Sequence, residues 1–217
     1  MPLELPQARP DQTALLLIDL QYGLFEPHSS EPEARQMLAR AAEVSHGARA
    51  HGVRVVHCTK FDRPGFLGWS TNTPSWRRRA RSGARPMLQG SRPATVLAEL
   101  GPREGDLIVP RSRGASPFTG TELDPVLRNL GCRVIVLAGL SLNVALISSC
   151  VEGVSLGYEV VVLEDAVLGF PSEYGAAMLQ HSFRVMSTVI KSRDLMSVWT
   201  QRWAPLPRPP SGVDPDR

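Results

Sequence analysis

Within 217 residues, the side chains able to move a proton or attack a carbonyl gather at a few points of the chain. Asp19 closes the apolar run 13–20 (TALLLIDL), so a carboxylate stands where a hydrophobic segment ends. A carboxylate in that setting serves as a general base or, where burial disfavours its charge, as a general acid. Two residues on, Gln21 offers an amide for a substrate or a turn. Arg111, Ser112 and Arg113 fall together in 110–121 (PRSRGASPFTGT), and either guanidinium is suited to grip a carboxylate in a two-pronged hydrogen bond. Lys60 follows the run 53–58 (VRVVHC), and its long arm can carry an ammonium to a site or into solvent. The thiols are weaker candidates. Cys58, Cys132 and Cys150 are odd in number and lack CxxC spacing, which argues against a disulfide framework and against zinc. Cys58 ends an apolar run but has no base beside it in the sequence.

These groups are placed by alternating apolar segments. The runs 13–20 and 133–138 (RVIVLA) read as strands buried on both faces, and 53–58, 106–109, 158–163 (YEVVVL) and 188–191 as further strands. Between them, 31–51 carries Met37, Leu38, Ala41, Ala42, Val44 and Ala48 at helical spacing, with Gly52 as its stop. Further helices are expected near 93–100, up to Leu130, over 141–156, over 172–185 and to Trp199. Such alternation predicts an α/β fold of three layers, α/β/α, Rossmann-like, on a six-stranded mainly parallel sheet. A parallel sheet binds ligands beyond the carboxyl ends of its strands. Asp19, Lys60, Arg111 and the turn 139–145, with Leu140, Ser141 and Asn143, all fall there. The segment 60–92, rich in Gly, Pro, Trp and Arg, is a long connection of the kind that covers substrates or forms interfaces. Phe25, Phe66, Trp69, Trp76 and Phe118 are candidates for an apolar pocket wall, and equally for the core or a subunit contact.

Composition narrows the function classes. No apolar run approaches the roughly 20 residues of a membrane span, and no signal-like segment opens the sequence, so a cytoplasmic protein is expected. The charge is +3, and the cluster Arg77, Arg78, Arg79, Arg81 and Arg85 lacks interleaved aromatics, so nucleic acid is not an expected partner. No glycine-rich phosphate motif occurs and His28, His46, His51, His57 and His181 lack ligand spacing, so neither a cofactor nor a metal is expected. The expected divisions are an N-terminal extension (1–12), one domain (13–203) and a proline-rich disordered tail (204–217).

Four segments in order, LLLIDLQYGLF (15–25), SPFTGTELDPVL (116–127), VIVLAGLSLNVA (134–145) and LGYEVVVLEDAV (156–167), resemble the successive signatures of the isochorismatase-like hydrolase superfamily. In its cysteine amidohydrolase branch, the resemblance implies an Asp, a Lys and a nucleophilic Cys. Asp19 matches the first. The Lys position, counted from Ser116, falls on Ser112, between two arginines, and the Cys position falls on Ala145. Alanine has no lone pair with which to attack, so the resemblance implies a hydrolase or lyase of a small organic molecule acting without a covalent acyl-enzyme. Cys150, turned about 140° around the helix from Ala145, does not replace it. True isochorismatases also lack the cysteine and use the Asp as proton donor. The alternative is an inactive binding or scaffold protein that keeps the fold. The metal-binding nicotinamidases of the superfamily carry histidines after the second strand, where this chain has TKFDRPGF (59–66). Members form homodimers and homotetramers, which sets the expectation for this chain. The candidate set is Asp19, Arg111 and Ala145 for catalysis, with Gln21, Phe25, Lys60, Trp69, Ser112, Phe118, Leu140, Ser141 and Asn143 for the substrate.

Overall fold

Apolar runs without alternation cannot leave one face in water, and here they become strands covered on both sides, except the third, where burial alternates and Ile108 is exposed. These are β1 (Thr13–Ile18), β2 (Arg54–Lys60), β3 (Leu107–Arg111), β4 (Val134–Leu140), β5 (Glu159–Leu168) and β6 (Thr188–Ile190). In this computed structural model, which describes residues 8–202, they form one sheet in the order β3-β2-β1-β4-β5-β6. Every neighbouring pair is parallel.

The helices are α1 (Tyr22–Phe25), α2 (Pro32–Ala50), α3 (Pro74–Arg81), α4 (Leu123–Asn129), α5 (Ile147–Ser155), α6 (Ser172–Met178), α7 (Arg184–Met186) and α8 (Ser192–Arg202). Side chains of β1 alternate between two cores. Leu15 and Leu17 join Met37, Val44 and Ala48 of α2 and Leu195 and Trp199 of α8. Leu16 and Ile18 join Leu123 and Leu127 of α4, Cys150 of α5 and Phe183 on the other side. Each such buried side chain contributes roughly 2 kcal/mol relative to an exposed one, so the sheet is fixed from both faces. No helix of the described residues is long and apolar enough to cross a membrane.

Several boundaries differ from the sequence reading for identifiable reasons. The third strand runs two residues further, through Pro110 to Arg111, because β3 is an edge strand and an edge tolerates the missing N–H of proline. The helix expected near 93–100 is two 3₁₀ turns, Arg92–Ala94 and Ala98–Leu100. The residues between them turn their backbone outward to the chain after β1: Tyr22 donates to Thr95 O at 3.1 Å and Leu97 donates to Leu20 O at 3.1 Å. The connection 60–92 contains a 3₁₀ turn, Pro64–Phe66, and α3, whose first turn is capped by Thr73 Oγ1 accepting from Trp76 N at 3.3 Å. The helix over 141–156 opens with a π turn, Leu142–Leu146, and the one over 172–185 is α6 and α7 joined by the π turn Leu179–Phe183. The proposed tail and the first seven residues of the extension lie outside the described residues.

Candidate active site

From β1 the chain winds outward to β2 and β3, then returns to β4 on the opposite side of β1. The order of the strands therefore reverses between β1 and β4, and beyond the carboxyl ends at such a reversal is where sheets of this kind hold ligands. Gly139 makes the close approach there possible: its φ is +123°, and a Cβ would lie 2.1 Å from Ile18 O. At the end of β1 the backbone of Asp19 turns into the left-handed region (φ 58°), which Asp tolerates better than bulky residues do. Its N–H donates to Cys58 O at 3.0 Å.

This turn aims the carboxylate across β2 toward the end of β3. Arg111 Nη1 donates to Asp19 Oδ1 at 2.8 Å and Nη2 donates to Oδ2 at 2.7 Å, a two-pronged charge-assisted pair. The pair is interior, with side-chain exposures of 3% for Arg111 and 12% for Asp19. Burial pulls the guanidinium down, but the Asp19 charge and hydrogen bonds outweigh it and hold Arg111 above its ordinary value. The cation beside Asp19 is thus Arg111, one residue before the position reached by counting back from Ser116. Ser112 itself is half-buried.

Gln21 is occupied by the backbone. Its Nε2 donates to Lys60 O at 2.9 Å and to Ala94 O at 2.6 Å, while Oε1 accepts from Lys60 N at 2.7 Å. The amide ties β1 to β2 and to the 3₁₀ turn, leaving little capacity for a substrate. Asn143 does comparable work, donating to Phe170 O at 2.9 Å and accepting from Phe170 N at 3.4 Å. Phe25 and Leu140 pack in the core beneath α2, and Phe118 packs in the other core, 5.9 Å from Tyr158. Ser141 is half-buried, and its carbonyl accepts from Val144 N and Leu146 N at 3.2 and 3.1 Å. Ala145 sits buried in the π turn, so a methyl group occupies the start of the helix after β4.

The end of β2 supplies Lys60 and the connection after it Trp69, with the Lys60 ammonium 4.9 Å from the Trp69 ring centre. Burial lowers the Lys60 ammonium below its usual value, against the pull of Asp62 and Asp19. Sequence reasoning missed Asp62 and Arg79. Asp62 is buried and accepts from Met87 N at 2.9 Å and from Arg79 Nη2 at 3.4 Å. A charge alternation around Lys60 was the only signal, and nothing in it foretold burial. The Cys58 thiol is fully buried, and burial pushes it up to about 12, so it is protonated at neutral pH. Among the described residues, no three of His, Cys, Asp and Glu gather as metal ligands.

With this geometry in place, residues 13–194 match the sequence profile of the isochorismatase domain. The chain belongs to the isochorismatase family.

It is 31% identical over 182 residues to the ureidoacrylate amidohydrolase RutB of Agrobacterium fabrum, covering 73% of this chain and 76% of that protein. It is 30% identical over 174 residues to YwoC, an uncharacterized isochorismatase family protein of Bacillus subtilis, covering 79% of this chain and 86% of that one. A solved isochorismatase family protein from Burkholderia thailandensis superimposes with a TM-score of 0.74 at 25% identity, covering 88% of this chain and 96% of the other. The isochorismatase-family fold therefore accounts for the six-stranded sheet, and with it the convergence of Asp19, Lys60 and Arg111 on the ends of three adjacent strands.

Proposed function

We propose that this isochorismatase-family protein hydrolyses a small organic molecule without a covalent acyl-enzyme, with Asp19 as its general acid or base. Support comes above all from one observation: the Asp19 carboxylate, forked by Arg111, stands at the carboxyl end of β1, while the turn after β4 carries the methyl of Ala145 and the one thiol of α5, Cys150, is buried in the core. Arg111 fixes the orientation of the carboxylate. Its two bonds leave further lone pairs on each oxygen, so the arrangement suits taking a proton from a water molecule that attacks the substrate. In this reading Lys60, Trp69, Ser112 and Ser141 border the substrate. Gln21, Phe25, Phe118, Leu140 and Asn143 hold the frame. An amide or ureido carbonyl is the preferred target, in keeping with the activity named for RutB. The chemistry asks for no metal and no cofactor. A cytoplasmic homodimer or homotetramer belongs to the same proposal, and the exposed Val144, Val151 and Val154 around α5 give a second copy an apolar face.

A second reading, a binding protein without turnover, is favoured by the same fork, because both oxygens of Asp19 already hold a buried partner. The two separate in a screen of amides, ureides and enol ethers followed by intact-mass spectrometry during turnover. The hydrolase reading predicts product release with the enzyme mass unchanged throughout. A mass shifted by an acyl group refutes the non-covalent route, and a wild-type protein silent toward the whole screen supports the binding reading.

A further inference from the structure

At its β3 edge the sheet is closed differently on its two faces. Val56 and Cys58 of β2 enter the core shared with α4 and α5, so His57 and Thr59 point to the side of α2. Register pairs His57 with Ile108 and Thr59 with Pro110, which places Ile108 and Pro110 of β3 on the α2 side as well. Lys60 and Arg111, also a register pair, leave on the other face. The core beneath α2 takes Leu15, Val55 and Val136 from neighbouring strands but no residue of β3, and Ile108 stays 56% exposed. A cavity of about 270 Å³ remains there, with Thr59, Phe61, Val96, Pro102, Ile108 and Pro110 in its wall. It lies across the sheet from the Asp19–Arg111 pair. No acidic residue lines it, and Lys60, its one basic residue, carries its ammonium to Trp69. Thr59 is only 7% exposed, and its hydroxyl makes no hydrogen bond among the described residues, whereas the hydroxyl of Thr95 in the same wall donates to Ser91 O at 3.1 Å.

We infer that this cavity is a second binding site, for a small neutral molecule made of a substituted ring with one hydroxyl. The hydroxyl bonds Thr59, and the hydrocarbon part lies on Val96, Ile108 and Pro110. Size sets the ring: an apolar cavity of about 150 Å³ holds benzene, so 270 Å³ holds a ring with a substituent. Polarity sets the rest. A buried hydroxyl without a partner is costly, and a ligand that bonds it removes that cost. An ionised ligand would lose its hydration against a wall that offers no countercharge. The site is separate from the one beside Asp19, so the inference stands whether or not the protein hydrolyses anything.

Amide-shift titration of the nitrogen-15-labelled full chain by NMR tests this with three probes: 4-ethylphenol, ethylbenzene and 4-ethylbenzoate. The expected result is saturable shifts at Val96 and Ile108 that exceed any at 139–145. The phenol should bind about fivefold more tightly than ethylbenzene, equivalent to about 1 kcal/mol, and at least about tenfold more tightly than the benzoate. Thr59→Val should remove the preference for the phenol and keep ethylbenzene binding. Ile108→Trp, which fills the cavity, should weaken both by at least about tenfold. No saturable binding of the phenol, shifts confined to 139–145, equal affinity for phenol and ethylbenzene in the wild type, or tighter binding of the benzoate would each overturn the inference. So would a folded Ile108→Asp variant with an altered sedimentation coefficient, since the cavity would then be a contact between copies of the chain. The wild-type titrations decide the matter even where a variant fails to fold.

Discussion

A guanidinium forked on both oxygens of a carboxylate makes two charge-assisted hydrogen bonds, and removing either partner leaves a lone charge in the interior at a cost of about 3–5 kcal/mol. Asp19 and Arg111 are in that position, so stability and chemistry are joined at one pair of residues. The same interior silences the thiols. Cys58, Cys132 and Cys150 are all free and buried, and burial raises each thiol above its ordinary value. Iodoacetamide should therefore label the native protein at least about tenfold more slowly than the denatured one, as read by mass spectrometry. Rapid native labelling of Cys58 with loss of activity would instead make a thiol the reactive group. Asp19 was legible in the sequence because a charge ending an apolar run stands out. Arg111 was legible as a type but ambiguous in position, since Ser112 and Arg113 flank it and only the face that each strand residue presents decides between them. Gln21 and Asn143 were ambiguous for a physical reason: an amide near a strand end satisfies backbone as readily as substrate, and here both bond backbone groups.

At the scale of elements, a buried network joins α2, β2 and the start of β3. Arg49 donates to Asp106 Oδ2 at 2.6 Å, His57 Nε2 lies 3.0 Å from the same oxygen, and His57 Nδ1 is buried without a partner. Burial lowers His57 below its ordinary 6.5, more than the Asp106 hydrogen bond and charge raise it. The unfolded chain therefore takes up the proton first as pH falls. The stability that neutral His57 contributes is complete above 6.5 and is lost as pH drops below that value toward the folded one. Asp106 is held below 3.8, its Arg49 and His57 hydrogen bonds outweighing burial, so its own contribution persists across this window. The melting temperature should thus fall between about pH 7.5 and about pH 5.5, and His57→Gln should flatten that slope. A wild-type slope as flat as the variant's would contradict this assignment. Most of the strands were legible because doubly buried runs of Val, Ile and Leu have few other uses; β3, at the edge, alternates instead and leaves Ile108 exposed. The structure within 60–92 was not, since its short helix and turns are fixed by contacts such as Asp62 with Met87 N, which no local pattern encodes.

For the whole molecule, the order β3-β2-β1-β4-β5-β6 brings distant segments to one end of the sheet: residue 19 just after the first strand, residues 60 and 111 at the ends of the second and third, and 139–145 at and beyond the end of the fourth. The sequence foretold which segments would meet, because a parallel sheet aligns its carboxyl ends, but not how closely, because closeness depends on details such as Gly139 against Ile18. In the proposed hydrolase, one carboxylate carries chemistry that in the amidohydrolase branch falls to a thiol. The most direct measurement is kcat for a substrate found by screening, compared between the wild type and Asp19→Asn at a temperature where circular dichroism shows both folded. A loss of about 10²- to 10⁴-fold is predicted, the range for removing a general acid or base. A folded Asn variant that turns over at the wild-type rate would contradict it.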